Sequence, residues 1–542
     1  MFLLTSCGVS RSLKDRPDLS DYTSTIPERV KIADTIFAVC KNQLRKNREG
    51  LWELYIHGNP LERGMSEGSL TRELIKEQEA IFFDKVNELV PSKMKQYLLR
   101  KFLAWFNRKS YQYITNEYKA EIYGMSRYGG DKYDYIADDY LRSLYLHSAH
   151  DIGHALKDLA LVGCTSFAVW GKHSADGQLL VGRNFDFYAG DEFAKTKIIA
   201  FVNPSEGYKF MSVTWPGMIG VVSGMNDQGL TVTINAGRSD IPLVAKTPIS
   251  LVTREILQYA SNIDEAVEIA RKRQVFVSEA ILVGSAKDKK AVSIEVSPNK
   301  IDIYEVGNSG ELLCTNHFQS NAYVNDKKNN KQKLESHSQY RYERLTELLA
   351  DKKVDTQIAV NILRNKEGLH NAAIGYGNEK VLNQLLAHHG IVFKPEELKV
   401  WISSAPYQLG AFVCYDLDKV FQKFESQNFT IQIQNINGLI PPDPFLNSAA
   451  YKKYEKYRIL SHEITNSLDN GVPVENLKVT ELIKLNPNFW EVYYVAGKVF
   501  YKKGYYRLAL TNFEKALTKE VTTVPDKENI NKFIKKIKRK IK

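Results

Sequence analysis

The chain has 542 residues, 43% of them hydrophobic and 25% charged, enough for at least two folding units and a large core; a disulfide-stapled miniprotein and a disordered chain are both excluded. No run approaches the roughly 18 apolar residues of a membrane-spanning helix. The net charge of +11 is unevenly spread: residues 526–542 hold eight Lys/Arg against two Asp/Glu, which leaves only +5 on the rest, too little for a phosphate-binding face. That tail reads as a solvated basic helix end, with an anionic surface as the alternative contact. Five cysteines (Cys7, Cys40, Cys164, Cys314, Cys414) lack CxxC spacing, so neither a zinc site nor a disulfide framework is suggested, and no cofactor is expected.

The chain opens MFLLTSCGVS, in which Leu4-Thr5-Ser6-Cys7 resembles the end of a bacterial lipoprotein signal. The apolar part, Phe2 to Leu4, is shorter than such signals carry and lacks a preceding basic region, so either the start lies further upstream or the match is chance. The resemblance implies lipidation at Cys7, a tether through residue 25 and a place on the cell envelope, anchored to a membrane.

Residues 26–163 read as a mostly helical segment, with helical spacing from Leu70 to Val90 and again after Pro91; HGNPLERGMSEG (57–68) reads as an irregular, glycine-punctuated stretch before them. After Gly163 the period turns strand-like. Thr165–Gly171 and Gln178–Phe187 make one hairpin around Ser174-Ala175-Asp176-Gly177, and Ile219–Gly224 and Leu230–Ile234 make another around Asn226-Asp227-Gln228-Gly229. Helices are expected at Ile249–Tyr259 and Ile263–Lys272 with Ser261-Asn262 as cap chemistry, and strands at Ala280–Val283, Ala291–Val296 and Lys300–Val306. Strand runs with grouped helices indicate a layered α/β domain on antiparallel sheets, residues 164–440. Asn325–Lys333 reads as an exposed loop, and Pro441–Pro444 as a boundary. Beyond it, residues 445–542 read as helical: Tyr493, Gly497, Phe500, Ala509, Phe513 and Ala516 have tetratricopeptide spacing, with a generic helical hairpin as the alternative, and too few repeats to stand without the main domain.

The chemistry concentrates at Gly163-Cys164-Thr165. Cutting the Gly163–Cys164 bond would give Cys164 both a nucleophilic thiol and an α-amine whose ordinary pKa, about 7.7–8.0, suits a proton acceptor. Glycine leaves the scissile carbonyl sterically open. Taken alone, the same cysteine reads more readily as a core thiol at a strand start, and its surroundings reverse that reading. Arg183-Asn184-Phe185-Asp186 on the partner strand adds a cation that favours thiolate and a carboxylate that orients an amine. Asn235 and Asn316, each in a strand-end motif (INA and TNHF), offer amide donors suited to an oxyanion.

In order, GCTSF, RNFDF, MNDQGL with Asn235, and CTNHF resemble the acyl-coenzyme A:6-aminopenicillanic acid acyltransferase family of N-terminal nucleophile hydrolases, relatives of the bile salt and penicillin V hydrolases, over roughly residues 50–425. HGNPLERGMSEG is similar to the opening of that family's pro-segment. The resemblance implies a four-layered αββα fold and a precursor that cuts itself before Cys164 and keeps both pieces. Cys164 would be nucleophile and, through its amine, base; Arg183 and Asp186 would tune and orient it; Asn235 and Asn316 would contact the oxyanion or the substrate amide. The bile salt hydrolases use a further late arginine, and Trp401–Tyr415 offers none.

Other constellations point elsewhere. His317 with Cys164 or Cys314 could form a papain-like pair, but such nucleophiles begin a helix. Cys314 and Cys414 sit in apolar strands as core thiols, His388-His389 reads as loop, and His147, His150 and His154 share a helical face without a carboxylate set for a metal. The expected function is an autoprocessed cysteine amidohydrolase or acyltransferase acting on the linear amide of a small N-acyl substrate. The alternatives are conjugated bile salts or acylated signals as substrate, or a non-enzymatic scaffold binding a protein partner through the C-terminal helices.

Overall fold

The computed structural model describes residues 7–22, 25–148, 151, 163–188, 190–240, 244–426 and 432–541. Leu4, Thr5, Ser6, His150 and His154 of the readings above lie outside these residues, as does the Cys7 side chain; Cys7 enters only as the first backbone position of a short helix, α1 (Cys7–Ser12).

Two sheets form the centre. One has eleven strands in the order β1 (Val30–Ala33), β2 (Ile36–Val39), β3 (Asn42–Lys46), β4 (Trp52–Gly58), β7 (Ile198–Pro204), β8 (Phe210–Thr214), β9 (Ser223–Asn226), β10 (Leu230–Ala236), β11 (Glu279–Ser285), β12 (Lys290–Ser297) and β13 (Lys300–Tyr304). The other has six, in the order β14 (Glu311–Cys314), β5 (Thr165–Val169), β6 (Leu180–Phe185), β15 (His389–Lys394), β16 (Lys399–Ser403) and β17 (Phe412–Asp416). Pairing is antiparallel except between β4 and β7, which run parallel from Trp52↔Ile198 to Gly58↔Pro204.

The inner strands are buried along both faces because both faces are covered. Tyr55, Ile199, Phe201, Met211 and Leu282 of the large sheet meet Ala168, Val181, Ile391, Phe393 and Ile402 of the small one in an inter-sheet core. The alternate residues share a core on the opposite face, where Val232 and Ile281 lie under α6 (Ile249–Tyr259) and α7 (Ile263–Lys272), and Leu54 and Ile56 lie with Leu70 and Leu74. Across the small sheet, Phe167, Leu180, Val392 and Phe412 pack on α9 (Ser338–Leu349) and α10 (Thr356–Leu363). The result is helix, sheet, sheet, helix, the layered α/β order expected. Both large-sheet helices occupy the expected bounds, and Asn262 caps α7 by accepting from Glu265 N at 3.0 Å.

Three local readings are corrected. Residues 30–58, taken as part of a mostly helical segment, are four strands: they are short, β1 is exposed along its length, and the pattern is therefore weak, yet β4 is buried because β7 covers its edge. The stretch 57–68 is not irregular. It opens α2 (Pro60–Leu89) with a capping box in which Asn59 accepts from Glu62 N and Glu62 accepts from Asn59 N. Gly64 and Gly68 serve contact rather than turns: a Cβ on Gly64 would lie 1.9 Å from the Glu121 carbonyl of α4 (Asn116–Ser126). Asn325–Lys333 is mostly helical as well, within α8 (Lys327–Glu335), because Asp326 caps it and Asn329 is buried against the backbone of Phe318 and Tyr323.

The α2–α4 pair is tied to the sheet domain by charge. Arg63, fully buried, reaches Glu121 at 2.6 Å and Glu117 at 3.1 Å, and Arg254 of α6 reaches Glu121 at 3.2 Å. After Pro441–Pro444 come α12 (Ala449–Asp469), α13 (Asn476–Leu485), α14 (Trp490–Lys502), α15 (Tyr506–Leu517) and α16 (Val524–Lys540). Tyr493, Gly497, Ala509, Phe513 and Ala516 are buried where α14 meets α15, with Phe500 at the margin; a Cβ on Gly497 would stand 2.8 Å from the Phe513 ring. Leu385, Tyr407 and Leu409 of the main domain share the core of these helices. No helix among the described residues is long and apolar enough to cross a membrane.

Replacing Gly64 with alanine forces α2 away from α4 and should destabilise the protein by about 1–3 kcal/mol. A lowered midpoint in urea at unchanged slope is the expected reading; an unchanged midpoint would refute the close-contact account.

Candidate active site

Four sequence motifs converge where the two sheets meet. Cys164 immediately precedes β5, whose residues Thr165 and Ser166 pair with Asn184 and Arg183 of β6. On the other side of β5, Ser166 pairs with Cys314, so Thr315-Asn316-His317 leaves β14 beside the cysteine. From the large sheet, Asn235 of β10 accepts from Ser166 Oγ at 2.7 Å and donates to the carbonyls of Cys314 and Thr315 at 3.1 and 3.3 Å, bridging the sheets.

Arg183 is fully buried and crosses the gap. It donates to the carbonyls of Val222 (3.1 Å) and Ile234 (2.5 Å) and to Ser223 Oγ, and its Nη2 lies 3.6 Å from Cys164 Sγ. Burial pushes the thiol up to about 11, and the Arg183 charge opposes that shift. Burial also raises the Asp186 carboxyl to about 7 against the pull of Arg341 and Arg183; neither carboxyl oxygen has a hydrogen-bond partner among the described residues. Its backbone carbonyl accepts from Gly163 N at 3.1 Å.

The two asparagines sit in the cluster with their amides engaged. Asn235 holds the strand end as described, and Asn316 donates to the Ala236 carbonyl at 2.9 Å. Two residues not picked out in the sequence complete the surroundings. Arg341 of α9, fully buried, donates to the Cys164 carbonyl at 2.6 Å, to Thr165 Oγ1 at 2.7 Å and to Asn316 Oδ1 at 2.5 Å. It lies upstream of Trp401–Tyr415, and its sequence signal is a cation on the buried stripe Ser338, Arg341, Leu345, Leu349 of an amphipathic helix. Gln384, from the loop before β15, donates from Nε2 to the Gly163 carbonyl at 2.8 Å. Nothing in its local sequence marked it.

The competing constellations separate from this cluster. His317 bonds Ser338 Oγ at 2.8 Å and Thr315 Oγ1 at 3.2 Å, and burial lowers it to about 3; its ring nitrogen contacts are to these hydroxyls. Cys314 and Cys414 are buried thiols raised by burial. His388 and His389 are not loop chemistry: both are buried, His389 opens β15, and its Nε2 lies 2.9 Å from Ser223 Oγ, one step from Arg183. His147 accepts from Ile219 N at 3.0 Å, and no group of metal-binding side chains exists among the described residues.

Residues 173–406 match the family described as acyl-coenzyme A:6-aminopenicillanic acid acyl-transferase, the family that the four motifs resemble; the match begins just downstream of Cys164. An uncharacterized protein of Archaeoglobus fulgidus is 26% identical over 275 residues, 47% of this chain and 45% of the relative. The N-acylethanolamine-hydrolyzing acid amidase of Caenorhabditis elegans is 24% identical over 217 residues, 38% of this chain and 59% of the relative, so the chain spans about half the length of these curated relatives. Among solved structures, a conjugated bile acid hydrolase from Clostridium perfringens is 16% identical with a TM-score of 0.33, covering 47% of this chain and 93% of that one.

A carboxyl whose folded pKa is raised costs stability above its unfolded value of about 3.8, and the cost is complete above about 7. In a Cys164→Ala background, Asp186→Asn should therefore raise the melting temperature at pH 8, by the equivalent of roughly 2–4 kcal/mol, with the gain fading as pH falls towards 4. A gain equal at pH 8 and pH 4 would contradict the buried-carboxyl account.

Proposed function

We propose that the chain is an N-terminal-cysteine amidohydrolase that matures by cutting its own Gly163–Cys164 bond and then cleaves the linear amide of a small N-acyl substrate through a thioester on Cys164. One observation carries the reading: the thiol that follows a glycine at the head of β5 stands 3.6 Å from the Arg183 guanidinium, and it feels the charge of the Asp186 carboxyl, which has no hydrogen-bond partner among the described residues. A carboxylate in that position suits the ammonium that a cut would create on Cys164. Coulombic attraction in a dry site would then favour the ionised forms of both groups and offset the cost of their burial.

Cys164 is fully buried in the uncut chain, as are Arg183, Asp186, Asn235 and Asn316 within a few per cent. An external amide therefore has no access to the thiol before maturation. After it, the Cys164 amine would take the thiol's proton, the thiolate would attack the substrate carbonyl, and the amine would hand the proton to the leaving nitrogen. Water would then open the thioester, or a second amine would accept the acyl group. Arg341 is suited to the role of the late arginine, since its guanidinium already touches the Cys164 carbonyl and Asn316. Hydrolysis is the preferred outcome for a protein held on the cell envelope through a lipidated Cys7, where acyl-coenzyme A is scarce; radiolabelled palmitate uptake that vanishes in Cys7→Ala tests that placement.

N-acylethanolamines are the first substrate class to screen, because the Caenorhabditis elegans relative is named for their hydrolysis. Conjugated bile salts are the second substrate class to screen.

The wild-type protein should show two fragments by intact mass, one beginning at Cys164, and release amine from N-acyl amides. Cys164→Ala should remain one chain and lose amidase activity by at least about 10³-fold. Retained amidase activity in that variant would remove the cysteine from the mechanism.

A further inference from the structure

We infer that Gln384 is the oxyanion donor of the self-cleavage step, and that Gly163 is glycine because the Gln384 side chain lies over its Cα. The inference rests on the self-cutting reading above and adds a residue and a constraint to it.

The reaction fixes where a donor must sit. Cys164 Sγ, losing its proton, attacks the carbonyl carbon of Gly163; the carbon–sulfur bond forms and the carbonyl electrons move to the Gly163 oxygen. The carbon–nitrogen bond then breaks, the proton ends on the departing Cys164 nitrogen, and a thioester joins Gly163 to Sγ. Water hydrolyses it to a Gly163 carboxylate and a free thiol. The charge of the first step therefore develops on one atom, the Gly163 oxygen, and a preorganised N–H within hydrogen-bond distance of it stabilises the transition state more than the ground state.

The expected donors, Asn235 and Asn316, are bonded to the carbonyls of Cys314, Thr315 and Ala236, and Arg341 is bonded to the carbonyl on the far side of Cys164. Gln384 Nε2 meets the scissile oxygen itself at 2.8 Å. Its position is set from several sides. The Leu382 carbonyl accepts from Asn184 Nδ2 at 3.0 Å, Asn383 N donates to the Asn365 carbonyl at 2.8 Å, and Leu385 is buried in the core of the C-terminal helices. Gln384 is itself 2% exposed, so water competes little for its amide.

The glycine follows from the same contact. A Cβ on Gly163 would lie 2.6 Å from Gln384 Nε2 and 2.8 Å from its Oε1, with no other heavy atom as near among the described residues. The obstacle is the end of a flexible side chain, so an alanine fits once the amide swings away. An alanine there is thus predicted to act through Gln384 alone.

The test follows the cut by intact mass against time in the full chain, freshly purified and held at fixed pH, with melting temperatures recorded for each variant. Gln384→Ala should slow cleavage about 10²–10³-fold relative to wild type, the usual loss on removing one oxyanion donor. Gly163→Ala should also slow it, but adding Gly163→Ala to Gln384→Ala should cause no further loss, because the alanine no longer displaces anything. Gln384→Glu discriminates donation from packing: a protonated carboxyl donates and a carboxylate does not. Its rate relative to wild type should be highest near pH 5 and fall with rising pH. Equal rates for wild type and Gln384→Ala, additive losses in the double variant, or a pH-independent ratio for Gln384→Glu would overturn the inference. A wild-type chain that never cuts at Gly163–Cys164 would instead remove the self-cutting reading, and the inference with it.

Discussion

The buried guanidinium of Arg183 is the constraint around which the two sheets are arranged. A cation taken out of water survives only if fixed dipoles replace its hydration, because the desolvation cost is several kcal/mol even after relaxation. Arg183 belongs to β6 of the small sheet, and its acceptors come from the large one: the carbonyls of Val222 and Ile234 and the hydroxyl of Ser223. The ring of Phe185 lies 4.2 Å from the guanidinium carbon, adding a face of negative quadrupole. Satisfying the charge therefore fixes the offset of one sheet against the other. Cys164 and Asn235, near the ends of β5 and β10, are positioned as a consequence. The thiol receives the part of the arginine's field that the carbonyls leave.

Such an arrangement is strained in a chemical sense. Asp186 and Cys164 are both pushed towards their neutral forms by burial, while Arg183 and Arg341 pull both towards ionisation. A cut at Gly163–Cys164 would add a further cation, the α-ammonium of Cys164, beside a carboxyl that lacks a hydrogen-bond partner among the described residues. The same groups that sit uneasily in the uncut chain would form a satisfied network afterwards, giving maturation a direction.

How much of this could be read from the sequence depended on whether the cause was local. The helices Ile249–Tyr259 and Ile263–Lys272 were legible to the residue, because a 3.6-residue period and an asparagine cap are local properties. The hairpin holding Cys164 and Arg183 was legible because its turn chemistry brings the two residues together within a short span. Strands β1 to β4 were not: β4 is a strand because β7, about 140 residues later, offers a parallel edge. The glycines at 64 and 68 signalled irregularity, while their physical use is contact with α4. At the site, the four motifs lie beside the ends of paired strands and were found together, whereas Arg341 and Gln384 arrive from α9 and a loop fixed only by tertiary packing. An arginine on an apolar helical stripe is a readable signal for the first; the second becomes visible only through the oxygen it touches.

The C-terminal helices acquire a structural rationale from that loop. Leu385, the residue after Gln384, is buried among Tyr454, Tyr457 and their neighbours, Asn378 Nδ2 donates to the Glu520 carbonyl at 2.9 Å, and Lys380 pairs with Glu520 at 2.5 Å. The segment 374–388 is thus pressed between the small sheet and the extension, which limits how far the Gln384 amide can wander from the Gly163 oxygen. The N-terminal piece is held just as firmly by different means. Its strand β4 lies inside the large sheet, paired from Trp52 to Gly58, and its Arg63 and Glu121 join Arg254 in a buried ionic chain. A break before Cys164 therefore cannot release that piece without unpairing the sheet and exposing the buried charges. If the chain is cut there, exposure of the thiol would have to come from local movement of the new chain ends, which would open the site while leaving the αββα framework in place.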